Sequence, residues 1–443
     1  MEFNWVNQNS SSATGFFGSG LLRRSLLTLL LIIYSQLTLN LWYIVKERKD
    51  NLDYIKNEDI YELITSGYIA PGNINSDASK FILFNFLISI VLMKIIPGRK
   101  CEGPVTPNGH IPIYKNNGVL SFFIHLFIFI SGGLKGYYNL SIIYDLFGDI
   151  INFLNYFALV FVLFLYFKGR FFPSTKDNGI SGNFLFDCYW GTELYPRIFD
   201  IDVKQFVNCR FGMVFWALTV ISCSFANIEK FGYITNSMLV TLIPQMIYIT
   251  KFFIWEEGYF KSIDIMQDRA GYYIIWGCLV YVPSFYTLVS IYMVDIDYIE
   301  NNINAILIIL FSLLAIWCNY DADNMRFNFR KKNGCVKIWG KKAVFLIAKY
   351  RTVHGEEKEN LLLLSGWWGM ARHTHYIFEI LGAFLWSCGD GFNSIIPYFY
   401  VIFLSCLLLD RSYRDDSRCE SKYGEYWRIY CQMVPYKIIP GLF

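Results

Sequence analysis

Charge is scarce in this sequence: of its 443 residues, 17% are Asp, Glu, Lys or Arg, against roughly 25% in an average soluble domain. That shortage excludes an ordinary water-soluble enzyme. Histidine is scarcer still, with five in the chain. Neither a spaced acid nor a third histidine stands beside His373 and His375, so zinc is not expected there. The 11 cysteines form no CxxC and no ligand spacing, and several fall inside apolar stretches, where they read as packing residues or free thiols. A formal net charge of +3 is too small to point to nucleic acid. Internal repeats are absent, and the start of the chain lacks the small-residue cleavage pattern of a signal peptide. Residues 1–20, rich in Asn, Ser and Gly, read as a short disordered lead in the cytosol.

What the sequence has in abundance is apolar length. Hydrophobic residues make up 54% of it and aromatic residues 19%. Uncharged runs cover 25–45, 116–134, 150–167, 211–228, 231–250, 270–294, 301–320 and 391–409, each long enough to cross a bilayer as a helix. Two shorter runs, 81–93 and 377–389, also span if Lys94 snorkels to the surface and Glu379 faces the protein interior. The expected fold is therefore all-α: a polytopic membrane protein of about ten transmembrane helices. Loop charges give an independent check. Alternate connections, beginning with the second, carry 24 of the 39 Lys+Arg, and the others between spans carry seven. By the positive-inside rule both termini and the 321–376 connection then face the cytosol. The division that follows is a membrane region over 21–320 and a C-terminal region over 321–443 that includes the last two spans.

Polar residues near a bilayer are costly unless partnered, so their clusters are candidate sites. The first runs from Asn324 to Lys331. On a continued helix Arg326 and Arg330, four apart, share a face suited to clamping phosphates; a basic helix end that meets anionic headgroups would look the same. The second runs from Ser365 to Tyr376 and combines Gly366 and Gly369 with Trp367, Trp368, His373, His375 and Tyr376. Glycines admit close approach and the rings offer stacking surfaces for a planar heteroaromatic ligand, or else form an interfacial aromatic belt. The third runs from Arg411 to Gly424, with Arg411, Arg414, Arg418 and Lys422 at helical spacing and acids interleaved, which also fits a solvated helix. Beyond it Trp427, Tyr430, Val434, Pro435 and Tyr436 stay apolar and aromatic, as expected of a tail folded against something. Glu256, Glu257 and Tyr286 are further polar positions near spans. Tyr286 fits a packed residue with a satisfied hydroxyl, or a proton donor in a dry pocket.

These residues resemble the sterol reductase family of the delta-14, delta-24(28) and delta-7 type, which also includes the lamin B receptor. The family's C-terminal signature stands here as Arg411, Arg414-Asp415, Cys419 and Lys422-Tyr423-Gly424. A second signature is approximated by Gly191-Thr192-Glu193-Leu194-Tyr195-Pro196-Arg197, after Gly169-Arg170-Phe171-Phe172-Pro173 and Gly182-Asn183-Phe184. The resemblance runs from about Glu102, through Gly103-Pro104-Val105-Thr106-Pro107 and Tyr114-Lys115, to the end. Cys388-Gly389-Asp390-Gly391, Trp339-Gly340 and the ending Val434 to Phe443 resemble the delta-7 branch.

The resemblance implies NADPH-dependent reduction of a sterol ring double bond in the endoplasmic reticulum membrane, with the cofactor in a cytosol-facing pocket of the C-terminal half. It places the cofactor against Arg326, Arg330, Leu363, Trp368, His375, Tyr376, Asp415, Cys419, Glu420, Ser421, Lys422, Tyr423 and Tyr430. The partners are a sterol and the lipid bilayer. Four positions depart from the family pattern: His375 for Asn, Tyr195 for Asn, Cys278 for Asp and Asp410 for His. His375 still donates a hydrogen bond, whereas Cys278 cannot replace a carboxylate. An isolated alkene is not an electrophile, so hydride transfer requires an acid, and Tyr286, polarised by Asp415 or Glu257, is the expected source. The alternatives are a delta-14 substrate and a non-catalytic sterol-binding or membrane-scaffold relative. A prenylcysteine methyltransferase-like protein is disfavoured by the paired arginines, and a transporter by the single acid, Glu379, within the spans.

Overall fold

The structure is a computed structural model that describes residues 26, 28–37, 76–106, 108–351 and 357–443. The expected lead over 1–20 and much of the first apolar run lie outside the described residues. Each of the ten apolar runs contains a helix. Among the described residues, six are long and apolar enough to cross a membrane: α2 (Asp77–Ile95), α4 (Phe147–Phe171), α5 (Gln205–Phe231), α6 (Asn236–Ile254), α7 (Tyr272–Met293) and α8 (Asn302–Lys331). Two apolar helices are shorter, α1 (Thr28–Leu37) and α3 (Gly118–Leu134). The last two runs hold α9 (Thr374–Trp386) and α10 (Phe399–Tyr423), and α11 (Glu425–Met433) follows. Length and composition thus establish a mostly helical, multi-pass membrane protein.

The sequence sets the helix ends. Ser76, Thr235 and Asn301 cap α2, α6 and α8 by accepting from Ser79 N, Met238 N and Ile303 N, which satisfies donors that a helix start leaves free. Lys94 stands exposed in the last turn of α2, where its stem can reach the bilayer surface. Gln205–Gly212 of α5 and Gly277–Tyr286 of α7 are wound as π-helix, a form that often marks functional segments.

Among the described residues, short strands interrupt the helical pattern as four antiparallel hairpins. They are β1 (Arg99–Glu102) with β2 (Ile113–Asn116), β3 (Arg197–Ile198) with β4 (Ile201–Asp202), β5 (Lys337–Ile338) with β6 (Lys341–Lys342), and β7 (Phe345–Arg351) with β8 (Glu357–Leu363). The all-α expectation missed them because the segments are short and lie in polar connections.

The described residues fall into two compact units. One comprises residues up to Ser222 together with Phe260–Thr287; the other comprises Cys223–Tyr259 together with Leu288–Phe443. In the second unit α8 packs on α6 and α9. One face of α8 exposes Ile303, Ile306, Leu310, Leu314 and Trp317, while Ala305, Ser312, Ala315 and Asn319 are buried on the other. Small residues on the buried face let neighbouring backbones come close, and the exposed apolar stripe suits lipid.

Candidate functional site

The site is built on the polar extension of α8, the turn before α9, and the charged half of α10. Arg326 and Arg330 are four apart on α8, so they share a face. The Arg326 guanidinium lies 4.0 Å from the Trp368 ring centroid, with Asp323 3.6 Å away as its ion partner. Trp368 donates from Nε1 to the Ala322 carbonyl at 2.7 Å, which fixes the indole along α8. The turn leading to it requires Gly366: φ is +63°, and a Cβ there would meet Ile338 Cγ2 at 2.7 Å.

The Trp368 and His375 rings are 4.8 Å apart, and His375 and Tyr376 4.3 Å. His373 stacks on Tyr376 at 5.0 Å and places Nε2 3.8 Å from Asp415. Burial holds the His373 imidazole down at about 4. Burial, then Arg326, also lowers His375 well below its ordinary range. Both are therefore neutral at pH 7, and each keeps a buried Nδ1 without a hydrogen-bond partner among the described residues. Buried polar atoms of this kind ordinarily find a partner. Neutral imidazoles with a free nitrogen can accept or donate one bond to a polar ring substituent.

On α10, burial works against charge on Asp415, but Arg418 and His373 outweigh it and hold its carboxyl below the usual range. Arg418 is its hydrogen-bonded partner. Partial desolvation, then Arg418 and Arg330, lowers the Lys422 ammonium to about 8. These cations disfavour one another in a way that a bound polyanion would reverse. Lys422 Nζ lies 4.1 Å from the Tyr350 ring centroid, and Asn360 of β8 donates to the Tyr423 hydroxyl at 2.7 Å. The β7–β8 hairpin thereby closes a core of Ala348, Leu362, Cys419, Tyr423, Trp427 and Tyr430. A neighbouring core joins Leu363 and Trp368 to Phe329 and Ile338. The apolar tail folds onto the same region. Arg372 N and His373 N donate to the Tyr436 and Lys437 carbonyls at 3.0 and 2.9 Å, and Arg372 Nη1 donates to Val434 O at 2.8 Å.

The structure thus brings Arg326, Trp368, His375 and Tyr376 together, and packs Cys419, Tyr423 and Tyr430 in one core beside Asp415 and Lys422. It does not bury Glu420 or Ser421: both are exposed, and Glu420 lies 3.6 Å from Arg428. Tyr286 belongs to the first unit, half-buried at the end of the π-helical stretch and 5.2 Å edge-on to Trp216. Glu257 and Asp415 belong to the second unit, Glu257 just after α6. Among the departures, Cys278 is buried and accepts from Asn208 Nδ2 at 3.4 Å, and Tyr195 is buried with its ring 5.0 Å from Lys204 Nζ.

His373 and Arg418 stood in the polar clusters of the sequence but not among the contacts that the resemblance implied. Their signal was spacing: Arg418 is one turn past Asp415, and His373 precedes α9. The sequence reading also left Glu379 alone. Glu379 accepts from Asn319 Nδ2 at 2.7 Å and from the Tyr248 hydroxyl. Asn319 also donates to the His375 carbonyl at 3.1 Å, tying this polar set to the candidate cofactor residues.

Comparison with known proteins places the chain. The model of the ergosterol biosynthesis ERG4/ERG24 family matches residues 25–443, more than the three quarters carried by the motifs. The chain is 45% identical to "7-dehydrocholesterol reductase" of Arabidopsis thaliana, over 83% of this chain and 85% of that one. It is 36% identical to "7-dehydrocholesterol reductase" of Xenopus laevis, over 82% and 77%. It is 33% identical to "Delta(14)-sterol reductase" of Methylotuvimicrobium alcaliphilum, over 81% of each. The chain belongs to the ERG4/ERG24 sterol reductase family, a family of oxidoreductases.

Proposed function

We propose that this member of the family reduces the delta-7 double bond of a sterol, converting a 5,7-diene to the 5-ene, with NADPH as reductant. The observation that carries the cofactor is Arg326 on the face of Trp368, beside the rings of His375 and Tyr376, with Arg330, Arg418 and Lys422 electrostatically coupled to one another and, through Arg330, to Arg326. A dinucleotide with an extra phosphate needs both: cations for its phosphates and flat surfaces beside a polar ring. The unpartnered Nδ1 atoms of His373 and His375 supply the specific bonds. Leu363, Asp415, Cys419 to Tyr423 and Tyr430 complete the expected contacts. When bound, NADPH supplies a hydride.

The chain's own contribution is the proton. Protonation at carbon 8 of a 5,7-diene leaves an allylic cation that closes at carbon 7 when hydride arrives. Tyr286 is the proposed donor, and Asp415 and Glu257 stay the candidate carboxylates for the proton supply. The delta-7 position is favoured by the 45% identity to the Arabidopsis relative and by the Val434 to Phe443 ending. A delta-14 substrate is the second reading, favoured by the relative of that name at 33% identity. Protonation at carbon 15 would then leave the cation at carbon 14. Loop charge supports both termini in the cytosol, and the family resemblance supports the endoplasmic reticulum membrane.

The test is reduction by the purified full-length protein, given NADPH carrying deuterium at the transferable position. A 5,7-diene should gain one deuterium at carbon 7. Deuterium at carbon 14 of an 8,14-diene, with the 5,7-diene untouched, would assign the delta-14 reading. No transfer to either sterol would overturn both.

A further inference from the structure

From Asn324 to Gly355 the sequence has no acidic residue. Five lysines of this stretch, Lys331, Lys332, Lys337, Lys341 and Lys342, are exposed. None of them enters an ion pair among the described residues. They surround the β5–β6 hairpin, which sets Lys337 directly opposite Lys342, a like-charge pairing that disfavours the ladder. The turn joining the strands is Trp339-Gly340, with φ of +48° and +80°. A two-residue turn with both φ values positive favours Asn, Asp or Gly at its first position. Tryptophan is strained there, and its side chain is 59% exposed. An opposed lysine pair and a strained, exposed tryptophan on one small hairpin are retained against local preference, a pattern found where a surface has a task.

The position of the hairpin indicates the task. Trp339 meets Trp367 edge-on at 5.2 Å, and Trp367 donates from Nε1 to Asp321 at 2.8 Å. Asp321 directly follows the uncharged run that ends at Tyr320. The chain therefore leaves α8 at Lys331, about 15 Å beyond Asp321 at helical rise, and folds back until Trp339 lies near the level where the apolar part of α8 ends. That level is the membrane boundary, where tryptophan and lysine concentrate. Lysines near a bilayer surface attract anionic lipid. Val344, 58% exposed beside the hairpin, adds apolar surface on the same segment.

We propose that the 331–342 segment docks on anionic phospholipid headgroups, with the Trp339 ring set into the boundary and the five lysines above it. Arg326 and Arg330 have a separate task in the cofactor cluster. This surface does not depend on which sterol is reduced.

The test uses the full-length protein in nanodiscs of phosphatidylcholine, alone or mixed with phosphatidylserine, with bromine placed on the acyl chains close to the headgroup of one lipid at a time. Tryptophan fluorescence should be quenched more by brominated phosphatidylserine than by brominated phosphatidylcholine at equal fraction. Trp339→Phe should remove that excess. The combined Lys337→Gln, Lys341→Gln and Lys342→Gln variant should equalise the two lipids while leaving Trp339 quenchable. Equal quenching in the unaltered protein, or an excess that survives Trp339→Phe, overturns the proposal. So does an excess abolished by NADP+, which would assign the lysines to the cofactor.

Discussion

The two units treat their cations differently. In the first, cations end on the chain's own backbone or a dedicated acid. Lys204 donates to the carbonyls of Ile265, Asp268 and Asp264 at 2.6, 2.9 and 3.2 Å, and Arg269 donates to Thr192 and Gly179 at 2.6 and 3.2 Å. Lys168 and Glu193 pair at 2.7 Å. In the second unit Arg330, Arg418 and Lys422 bear on one another, and two neutral histidines keep unpartnered nitrogens. The first arrangement ties loops together through the chain's own carbonyls and carboxylates. The second is what a site for an anionic, hydrogen-bonding molecule requires. A cation is thus stronger evidence of binding where other cations crowd it than where backbone carbonyls close around it.

Exchanging the two kinds of cation should expose the difference. Lys204→Met strips the donor from three carbonyls, each costing about 1 to 3 kcal/mol when left unmet. It should cause the largest loss of thermal stability, read as the unfolding midpoint in detergent. Tyr286→Phe should lower turnover by about 100-fold or more, the scale of a lost general acid, with NADPH affinity nearly intact; unchanged turnover removes Tyr286 from the reaction. Arg330→Ala should weaken NADPH binding by about 10- to 150-fold, since a charged phosphate partner contributes about 1.5 to 3 kcal/mol. It should barely move the unfolding midpoint. If it destabilised the protein as Lys204→Met does, the contrast between the units would collapse.

His373 gives a pH signature. Its folded value is about 4, below the ordinary 6.5 or so of the unfolded chain. The unfolded state therefore binds more protons in that window, and stability falls as pH drops through it, by at most about 1.4 kcal/mol per pH unit. The contribution is intact above the unfolded value. His373→Asn should flatten this slope in a pH series of unfolding midpoints. The smallest effect belongs to Glu420: exposed beside Arg428, it should change stability by less than about 0.5 kcal/mol when replaced by Ala. A larger loss of NADPH affinity would return it to the site.

Local pattern made much of this legible. Helix positions followed from runs of uncharged residues, because lipid solvation acts on every residue of a span. Arg326 with Arg330 followed from helical spacing, whereas Asp415, Cys419 and Tyr423 came from the family signature. What could not be read was long-range pairing. Glu379 stood alone in the sequence because its partners, Tyr248 and Asn319, arrive from α6 and α8. The strands of the β7–β8 hairpin show no polar–apolar alternation, and its packing on Tyr423 and Trp427 depends on a helix that comes some sixty residues later. The strain at Trp339 was hidden because its positive φ contradicts the residue's own preference. Glu420 and Ser421 came from a contiguous motif, and a helix turns adjacent residues to different faces.

The central claim is tested most directly by sterol profiling, by mass spectrometry, of a sterol-producing cell line that lacks its own delta-7 reductase, with and without this protein. Loss of the 5,7-diene with matching gain of the 5-ene is the predicted result. An unchanged profile, with the protein well expressed and NADPH present, would contradict delta-7 reduction and turn attention to Cys278, where the family often has a carboxylate.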